Sequence, residues 1–304
     1  MTSIDFEIGS SAIRNYKRMS YEIWYAIAEF VDNSTQSYFD NRITIDEQLK
    51  KDNEQFEIVI AYDQRQKTLS IRDNAMGMEL SELKTALLLG IPPKLTTGRH
   101  EYGMGLKTAA CWFGDVWSVK TKKLGHDKEY EIVFDVEKIA SGETSLDVIE
   151  RSKPKEQHYT VVEISSMHRS IVGKSLGATK NFLRSLYRID TREQRLLLKW
   201  GEDEKLDYDS NVNFLLAPNG DEYVRKFDFT VNGKRVFGWG GILAPGTAGR
   251  PRAGFATVRR GRVIQGQPSA WRPRAIFGQE DGSNDLINQR IVGEVNLDQF
   301  MDGR

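Results

Sequence analysis

One predicted helix, from about residue 20 to residue 38, constrains this chain more than any other segment. Its apolar residues recur at three- and four-residue spacing and give one apolar face: Trp24, Ile27, Ala28 and Val31. Glu29 and Asn33 lie four residues apart, so their side chains project from the same side of the helix. A carboxylate beside an amide oxygen can hold a hard divalent cation and orient a water molecule. A solvated helix face is the ordinary alternative, so the assignment depends on the segments that follow.

A predicted hairpin ends at a second carboxylate. Residues 56–72 alternate as two strands around a polar turn, after a polar and charged connection from the first helix. Asp73 follows directly, and Gly77 and Met78 come shortly after it. A strand-end carboxylate can accept a hydrogen bond from an exocyclic amino group, while glycine admits a flat ligand to the main chain and methionine offers it a polarisable surface. A turn that contains Asp-Asn and Gly is the alternative.

A polar segment then leads into a helix that begins with glycines. Residues 80–89 predict a short helix, and residues 94–102 have no clear period, as expected of a mobile flap. Gly103 and Gly105 follow, with Lys107 in the first helical turn. Free backbone N–H groups, the positive end of the helix and a lysine favour a phosphate chain. An ordinary helix start is the alternative for so short a motif.

Three further strands are predicted, at residues 115–121, 129–134 and 159–165. Thr160, in the last of them, is expected to present its hydroxyl to Asp73, directly or through water. Threonine is also a good strand former, and that role alone would explain its presence.

Composition excludes several function classes. Lys plus Arg and Asp plus Glu number 43 each, so bulk attraction to nucleic acid or membrane is not indicated. The single cysteine, Cys111, excludes an internal disulfide and a cysteine-based zinc cluster. The first residues lack a secretory leader pattern, and no apolar run approaches the ~18 residues of a membrane span. We expect a soluble, cytoplasmic protein with no membrane partner.

The order Glu-x-x-x-Asn, Asp-x-x-x-Gly-Met, Gly-x-Gly-x-Lys and a later Thr resembles the GHKL family of ATPases over about residues 20–165. That family includes gyrase B subunits, heat-shock chaperone ATPases, MutL-type mismatch-repair proteins, histidine kinases and MORC proteins; the pattern is most similar to MORC, MutL and chaperone-like members. The resemblance implies an α/β (α+β) fold, a two-layer Bergerat-type sandwich of mainly antiparallel sheet and helices. It also implies ATP and Mg²⁺ as ligands.

The resemblance implies a role for each site residue. Glu29 would be the general base for the attacking water, Asn33 the magnesium ligand, and Asp73 the acceptor for the adenine amino group. Gly77 and Met78 would shape the base pocket. The lid residues that would hold the phosphates are Gly103, Met104, Gly105, Leu106 and Lys107, and Thr160 would support the adenine site. A Glu at position 29 favours hydrolysis over phosphotransfer to histidine.

Three residues depart from the family pattern. Ala75 stands where the adenine motif usually has its first glycine, and His100 and Tyr159 occupy positions where glycine is common. These departures leave open the lid conformation and the rate, but they do not change the ligand class.

The second half of the chain predicts a further domain. We expect an ATP-binding domain with an N-terminal arm at residues 1–168 and a smaller transducer-like α/β domain at residues 169–304. The elements predicted there are a helix at 176–187, a strand at 196–200, and strands within 225–243 and 253–265 with a tight turn at Asn232-Gly233.

A basic stretch from Arg250 to Arg274 contains seven arginines and no acidic residue. Three interpretations compete. The resemblance implies that a basic residue of the transducer reaches the terminal phosphate, with candidates Arg259, Arg260 and Arg262, although MORC-like members usually have a Lys where this chain has Gln265. DNA phosphates would also suit this stretch. Solvated surface arginines are the ordinary alternative.

These observations predict a magnesium-dependent ATPase whose lid closure drives homodimerisation or a conformational switch, MORC-like and directed to DNA. The alternative is a nucleotide-gated clamp or scaffold with little hydrolysis, assembling with a partner protein on DNA. A protein kinase of the same fold is less favoured, because Glu29 argues for hydrolysis.

Overall fold

The computed structural model describes residues 10–87, 105–143, 145–208, 212–278 and 285–300. The chain forms two compact units. The first comprises Met1–Leu176 and Leu196–Lys205, and the second comprises Gly177–Arg195 and Leu206–Arg304. The division at residue 168 stays a prediction; the segment near residue 200 returns to the first unit.

The helices of the first unit are a 3-10 helix (Ser10–Arg18), α1 (Ile23–Asp40), α2 (Arg42–Asp52), α3 (Leu80–Leu87), α4 (Gly105–Phe113) and α5 (Val136–Ala140). Its strands are β1 (Glu57–Asp63), β2 (Thr68–Asp73), β3 (Gly114–Lys122), β4 (Lys128–Asp135), β5 (Val148–Ser152), β6 (Tyr159–Met167), β7 (Leu197–Trp200) and β8 (Glu204–Lys205).

These strands form one sheet in the order β5-β4-β3-β6-β2-β1-β7-β8. All neighbours are antiparallel except β1 and β7, which run parallel. Side chains that alternate along the central strands are buried and form the core beneath the helices. The most deeply buried of them are Ile58, Ile60, Leu69, Ile71, Trp117, Val119 and Ile164. The prediction of a two-layer, mainly antiparallel sandwich is confirmed.

The elements of the first unit that were not predicted include α2 and β5. Helix α2 occupies a stretch that we interpreted as a charged connection, because it is mostly polar and buries only Ile45 and Leu49. These two apolar residues are four positions apart, and one such pair is too little to predict a helix from periodicity. Strand β5 was missed because it is exposed throughout and lacks an inward-facing apolar set.

The second unit is built on a five-stranded sheet in the order β12-β11-β13-β10-β9. The strands are β9 (Val224–Val231), β10 (Lys234–Ile242), β11 (Gly254–Arg259), β12 (Arg262–Gln265) and β13 (Ile291–Asn296). Its helical elements are α6 (Gly173–Leu186), which contains the boundary between the units, α7 (Arg188–Arg192), α8 (Arg274–Phe277) and α9 (Leu286–Arg290). The predicted turn joins β9 to β10, with positive φ at both Asn232 and Gly233 (51° and 75°). Among the described residues, none of the helices is long and apolar enough to cross a lipid bilayer.

A buried ionic cluster ties α7 to β13 within the second unit. Glu294 is 6% exposed and accepts two hydrogen bonds from Arg192, at 2.8 and 2.7 Å, and one from the Trp239 indole at 3.0 Å. The buried Arg188 guanidinium lies 3.7 Å from the same carboxylate. Burial by itself would raise the pKa of Glu294, but the hydrogen bonds from Arg192 and the charge of Arg188 hold that pKa below its ordinary value.

We predict that Glu294→Gln lowers the free energy of unfolding by about 3 kcal/mol, because it leaves buried arginine charge uncompensated. The lowered pKa of Glu294 gives a sign for pH dependence. The contribution of the Glu294 carboxylate to the free energy of unfolding is fully present above its pKa in the unfolded chain, 4.5. It is lost as the pH falls through its lower pKa in the folded chain. Urea unfolding of both proteins between pH 7 and pH 3 measures this, and the difference between them is expected to shrink with acid.

The matched control is Asp228→Asn, which removes an exposed pair with Arg235 and is expected to cost much less. Equal losses from the two substitutions would show that burial of the Glu294 cluster has no special energetic weight.

Candidate functional site

Helix α1 carries the residues around which the site is built. Its apolar face packs into the core, and most of its residues between positions 26 and 35 are buried. Glu29 and Asn33 are half-buried, whereas Asp32 and Ser34 are buried. This placement leaves the two predicted site residues on the same side of the helix at the margin of the core.

Asp73 stands at the end of β2 and is joined to α1. Its Oδ2 accepts a hydrogen bond from the Ser34 hydroxyl at 2.6 Å, and its Oδ1 accepts one from the Ala75 backbone N–H at 3.0 Å. Burial raises the pKa of Asp73, and hydrogen bonds from Ser34, Ala75 and the Thr160 backbone act in the opposite direction. The carboxylate is therefore a fixed hydrogen-bond acceptor in surroundings with little water.

The turn after Asp73 packs against the last two residues of β3. Gly77 has φ +70°, and a Cβ added there would lie 2.0 Å from the Lys122 carbonyl oxygen. Only glycine satisfies both conditions. The next backbone N–H, of Met78, donates to the Thr121 hydroxyl at 2.9 Å. The main chain at Gly77 and Met78 is thus pinned to β3.

Thr160 takes part in this network through its main chain and its side chain, and the predicted contact of its hydroxyl with Asp73 through water stays a prediction. Its backbone lies opposite Asp73 in the ladder between β2 and β6 and hydrogen-bonds to the Asp73 carboxylate. Its hydroxyl lies 3.1 Å from the Thr121 hydroxyl. Thr160 therefore supports Asp73 through its main chain, while its side chain supports the Met78 turn through Thr121.

Helix α4 brings the second half of the site to Glu29. A Cβ added at Gly105 would lie 1.8 Å from Glu29 Oε2, so the carboxylate rests directly against the first residue of α4. The first turn of a helix carries backbone N–H groups without intrahelical partners. In that turn Leu106 is half-buried and Lys107 is only 2% exposed, and burial lowers the Lys107 pKa. Gly103, Met104, His100 and the flap at 94–102 lie outside the described residues.

Sequence reasoning missed several supporting residues. Ser34 adjoins Asn33 but belongs to no recognisable spacing pattern. His158 is buried, and its Nδ1 lies 2.9 Å from the Ala75 carbonyl oxygen. The Lys122 ammonium is also buried and donates to three carbonyls, those of Lys123, His126 and Gln157, at 2.9, 2.6 and 3.0 Å. The contacts of Ser34 with Asp73, of His158 with Ala75 and of Lys122 with Gln157 join segments that are distant in sequence, so spacing alone gives no signal for them.

The departures at positions 75 and 159 have structural explanations. Ala75 is fully buried, with its N–H bound to Asp73 and its carbonyl to His158, so the turn accepts a methyl group at this position. The Tyr159 hydroxyl donates to the buried Glu129 carboxylate, which Arg151 also contacts at 3.0 Å. The side chain of Tyr159 is therefore engaged with β4.

The donor chemistry fits a magnesium ion that is held mainly by its phosphate ligand. The described residues contain no group of three or more His, Cys, Asp or Glu side chains that could hold a metal ion by themselves. Mg²⁺ usually keeps several waters and takes one or two protein oxygens together with substrate phosphates. The amide oxygen of Asn33, half-buried and one turn from Glu29, suits that role.

The fold and the site define a nucleotide-binding α/β sandwich. In it, helix α1 contacts both the buried Asp73 at the end of β2 and the first residue of α4, Gly105. Residues 21–168 match the family described as histidine kinase-, DNA gyrase B- and HSP90-like ATPases. Residues 21–168 therefore carry a domain of the GHKL family of ATPases, which confirms the resemblance at the level of the family; the closer similarity to MORC, MutL and chaperone-like members stays a prediction. No curated protein matches the chain.

We predict that Gly105→Ala lowers ATP turnover about 100-fold, because the added methyl group displaces the Glu29 carboxylate from its position. Thermal stability should change little, since the displaced atoms are the far end of a flexible side chain. Phosphate release and thermal melting measure the two quantities. Gly177→Ala is the matched control, because that glycine is also helical and its added Cβ meets nothing within 4 Å. Wild-type turnover in Gly105→Ala would contradict the placement of Glu29.

Proposed function

We propose that the chain binds ATP with Mg²⁺ and hydrolyses the bond between the β- and γ-phosphates. The observation that carries this proposal is the double attachment of α1: Ser34 holds Asp73 at one point, and Glu29 rests on Gly105 at another. Two groups that differ in chemistry, a buried acceptor and a helix N-terminus, are therefore both contacted by α1. An adenine amino group suits the first, and a phosphate chain suits the second.

Each residue has a part that its chemistry allows. Asp73 accepts from the adenine amino group, and the pinned backbone at Gly77 and Met78 lies against the ring. The first turn of α4, with Gly105, Leu106 and Lys107, binds the phosphates through backbone N–H groups and the lysine charge. Asn33 supplies an oxygen to Mg²⁺, which neutralises phosphate charge when bound.

Glu29 is the proposed general base. Its carboxylate already lies at the first turn of α4, where the terminal phosphate would sit, and it can take a proton from a water molecule there. Gly103 and Met104, together with the rest of the flap, would close over the phosphates, exclude other water and order a dimerisation surface.

Outside the ATPase region the proposal rests on sequence. We propose a MORC-like arrangement in which the second unit acts as a transducer and the stretch from Arg250 to Arg274 contacts DNA phosphates. Arg259, Arg260 and Arg262, on the hairpin of β11 and β12, are the candidates for sensing the terminal phosphate. In the alternative proposal, the chain is a nucleotide-gated clamp that hydrolyses little ATP and assembles with a partner protein on DNA.

Substitutions separate binding from catalysis. Glu29→Ala is expected to retain ATP binding and to lose turnover by at least about 100-fold, because it removes the general base. Asn33→Ala and Asp73→Ala are expected to lose binding, since they remove the magnesium ligand and the adenine acceptor. Calorimetric titration with a non-hydrolysable ATP analogue measures binding, and phosphate release measures turnover.

Glu47→Ala is the control, because Glu47 is an exposed acid on the neighbouring helix α2. If Glu29→Ala and wild type turn over ATP equally, Glu29 is not the base. If wild type binds the analogue but releases no phosphate, the clamp interpretation replaces the ATPase. Transfer of labelled phosphate from ATP to protein would instead identify a kinase.

We predict that the non-hydrolysable analogue shifts the wild-type chain from monomer toward dimer, whereas ADP does not, because only the triphosphate supports lid closure. Light scattering coupled to size-exclusion chromatography gives the mass in each state. Asp73→Ala serves as the control that should not respond to the analogue. A mass that stays the same with every nucleotide would rule out nucleotide-dependent dimerisation.

A further inference from the structure

The second unit contains an open cavity that the ATPase site does not use. It lies where the segment before β11 meets the loop between β12 and α8, and its volume is about 540 Å³. Arg250, Gln265, Trp271 and Arg272 are among its lining residues. This volume is within the range of small-ligand sites. Because the cavity is open, a chain-like ligand can continue beyond it.

Trp271 offers a flat aromatic surface in this cavity. Its backbone exchanges two hydrogen bonds with Phe255 on β11, at 2.7 and 2.9 Å, so the position of the residue is fixed. The side chain is nevertheless 45% exposed. A large aromatic ring that is held in place and left open to solvent is suited to stacking against a planar ligand.

The loop that carries Trp271 is fixed to the sheet. Gln267 is 3% exposed, donates to the Gly254 carbonyl at 2.9 Å and accepts from Arg188. Gly254 allows close approach, since a Cβ added there would lie 2.8 Å from the Cβ of Ala270. The wall of the cavity is therefore formed before any ligand binds, which lowers the entropic cost of binding.

The charge of the cavity favours an anion. The lining residues in the described part of the chain include two arginines and no acidic residue. The Arg272 side chain donates from Nη2 to the carbonyls of Arg250 and Ala253, at 2.5 and 3.0 Å. These bonds hold the Arg272 guanidinium beside the Arg250 backbone. Guanidinium groups at fixed positions bind phosphate oxygens well.

We propose that this cavity binds an unpaired segment of nucleic acid, with one base stacked on Trp271 and the flanking phosphates contacted by Arg250 and Arg272. Bases within a duplex are stacked on each other and cannot present a face to an aromatic side chain, so a single strand is the form that fits. DNA and RNA share this chemistry. This inference rests on the proposed contact between the Arg250–Arg274 stretch and nucleic-acid phosphates, and it does not depend on ATP hydrolysis.

The test measures binding of the full chain, without ATP, to labelled oligothymidylate and oligouridylate of twelve nucleotides and to a DNA duplex of equal length. Fluorescence anisotropy gives the affinities. Trp271→Ala is expected to weaken single-strand binding about 5- to 100-fold, whereas Trp271→Phe keeps most of it. Duplex binding should not change. The strand that binds more tightly identifies DNA or RNA as the source of the ligand.

Ile276→Ala is the matched control, because Ile276 has the same exposure as Trp271 (45%) and lies on α8 outside the cavity lining. Trp271→Leu keeps apolar volume without an aromatic face and replaces Trp271→Ala if thermal melting shows that the alanine variant is unfolded. Arg250→Gln should lower the slope of log affinity against log salt by about 0.7, and Arg225→Gln, on β9, should not.

Several results would overturn the proposal. The first is that the wild-type chain binds neither single strand. The second is that the folded Trp271 variants bind single strands with unchanged affinity. The third is that these variants lose as much affinity for the duplex as for the single strands. An equal loss in Ile276→Ala would also overturn it. Because ATP is absent from these titrations, such failures leave the proposed ATPase untouched, and a failure of phosphate release would leave this site untouched.

Discussion

The hydrogen bond from Ser34 to Asp73 is the interaction on which the candidate site depends. It joins the middle of α1 to the end of β2, with both partners buried, so neither can turn to solvent for an alternative. An unpaired buried carboxylate would be costly, and this bond together with the Ala75 N–H reduces that cost. Ser34 therefore helps to position α1, and Glu29, which rests against Gly105, lies five residues before Ser34 on the same helix.

Further contacts support the part of the site around Asp73, where we propose that adenine binds. Thr121 accepts from Met78 and lies next to Thr160, His158 contacts the Ala75 carbonyl, and the Lys122 carbonyl lies where a side chain at position 77 would be. All these residues lie on or beside β3 and β6, the central strands of the first sheet. A loop that would otherwise be free to move is therefore held by the most rigid part of the unit.

The second unit uses buried charge in a comparable way. Glu294, on the central strand β13, accepts hydrogen bonds from Arg192 and Trp239 and forms an ion pair with Arg188. Arg188 also donates a hydrogen bond to Gln267, which holds the loop that carries Trp271. The cluster thus links the core of that sheet to the wall of the cavity. Strand order could be predicted only in part, because β11 and β13 pair in parallel across a long connection, whereas local hairpins such as β9–β10 follow from their turn residues.

The sequence by itself determined the identity and order of the chemical groups: Glu29 and Asn33 on one helix face, Asp73 at a strand end, and glycines with Lys107 at a helix start. It did so because helical and strand periodicities are local, and because clusters of glycine, proline and polar residues mark many of the turns. Only the folded chain shows that Glu29 rests on Gly105, that Ser34 holds Asp73, and that the Thr160 main chain lies opposite Asp73. Those contacts join residues from 39 to 87 positions apart in sequence. Packing of the sheet against its helices sets such distances, and no local pattern encodes them.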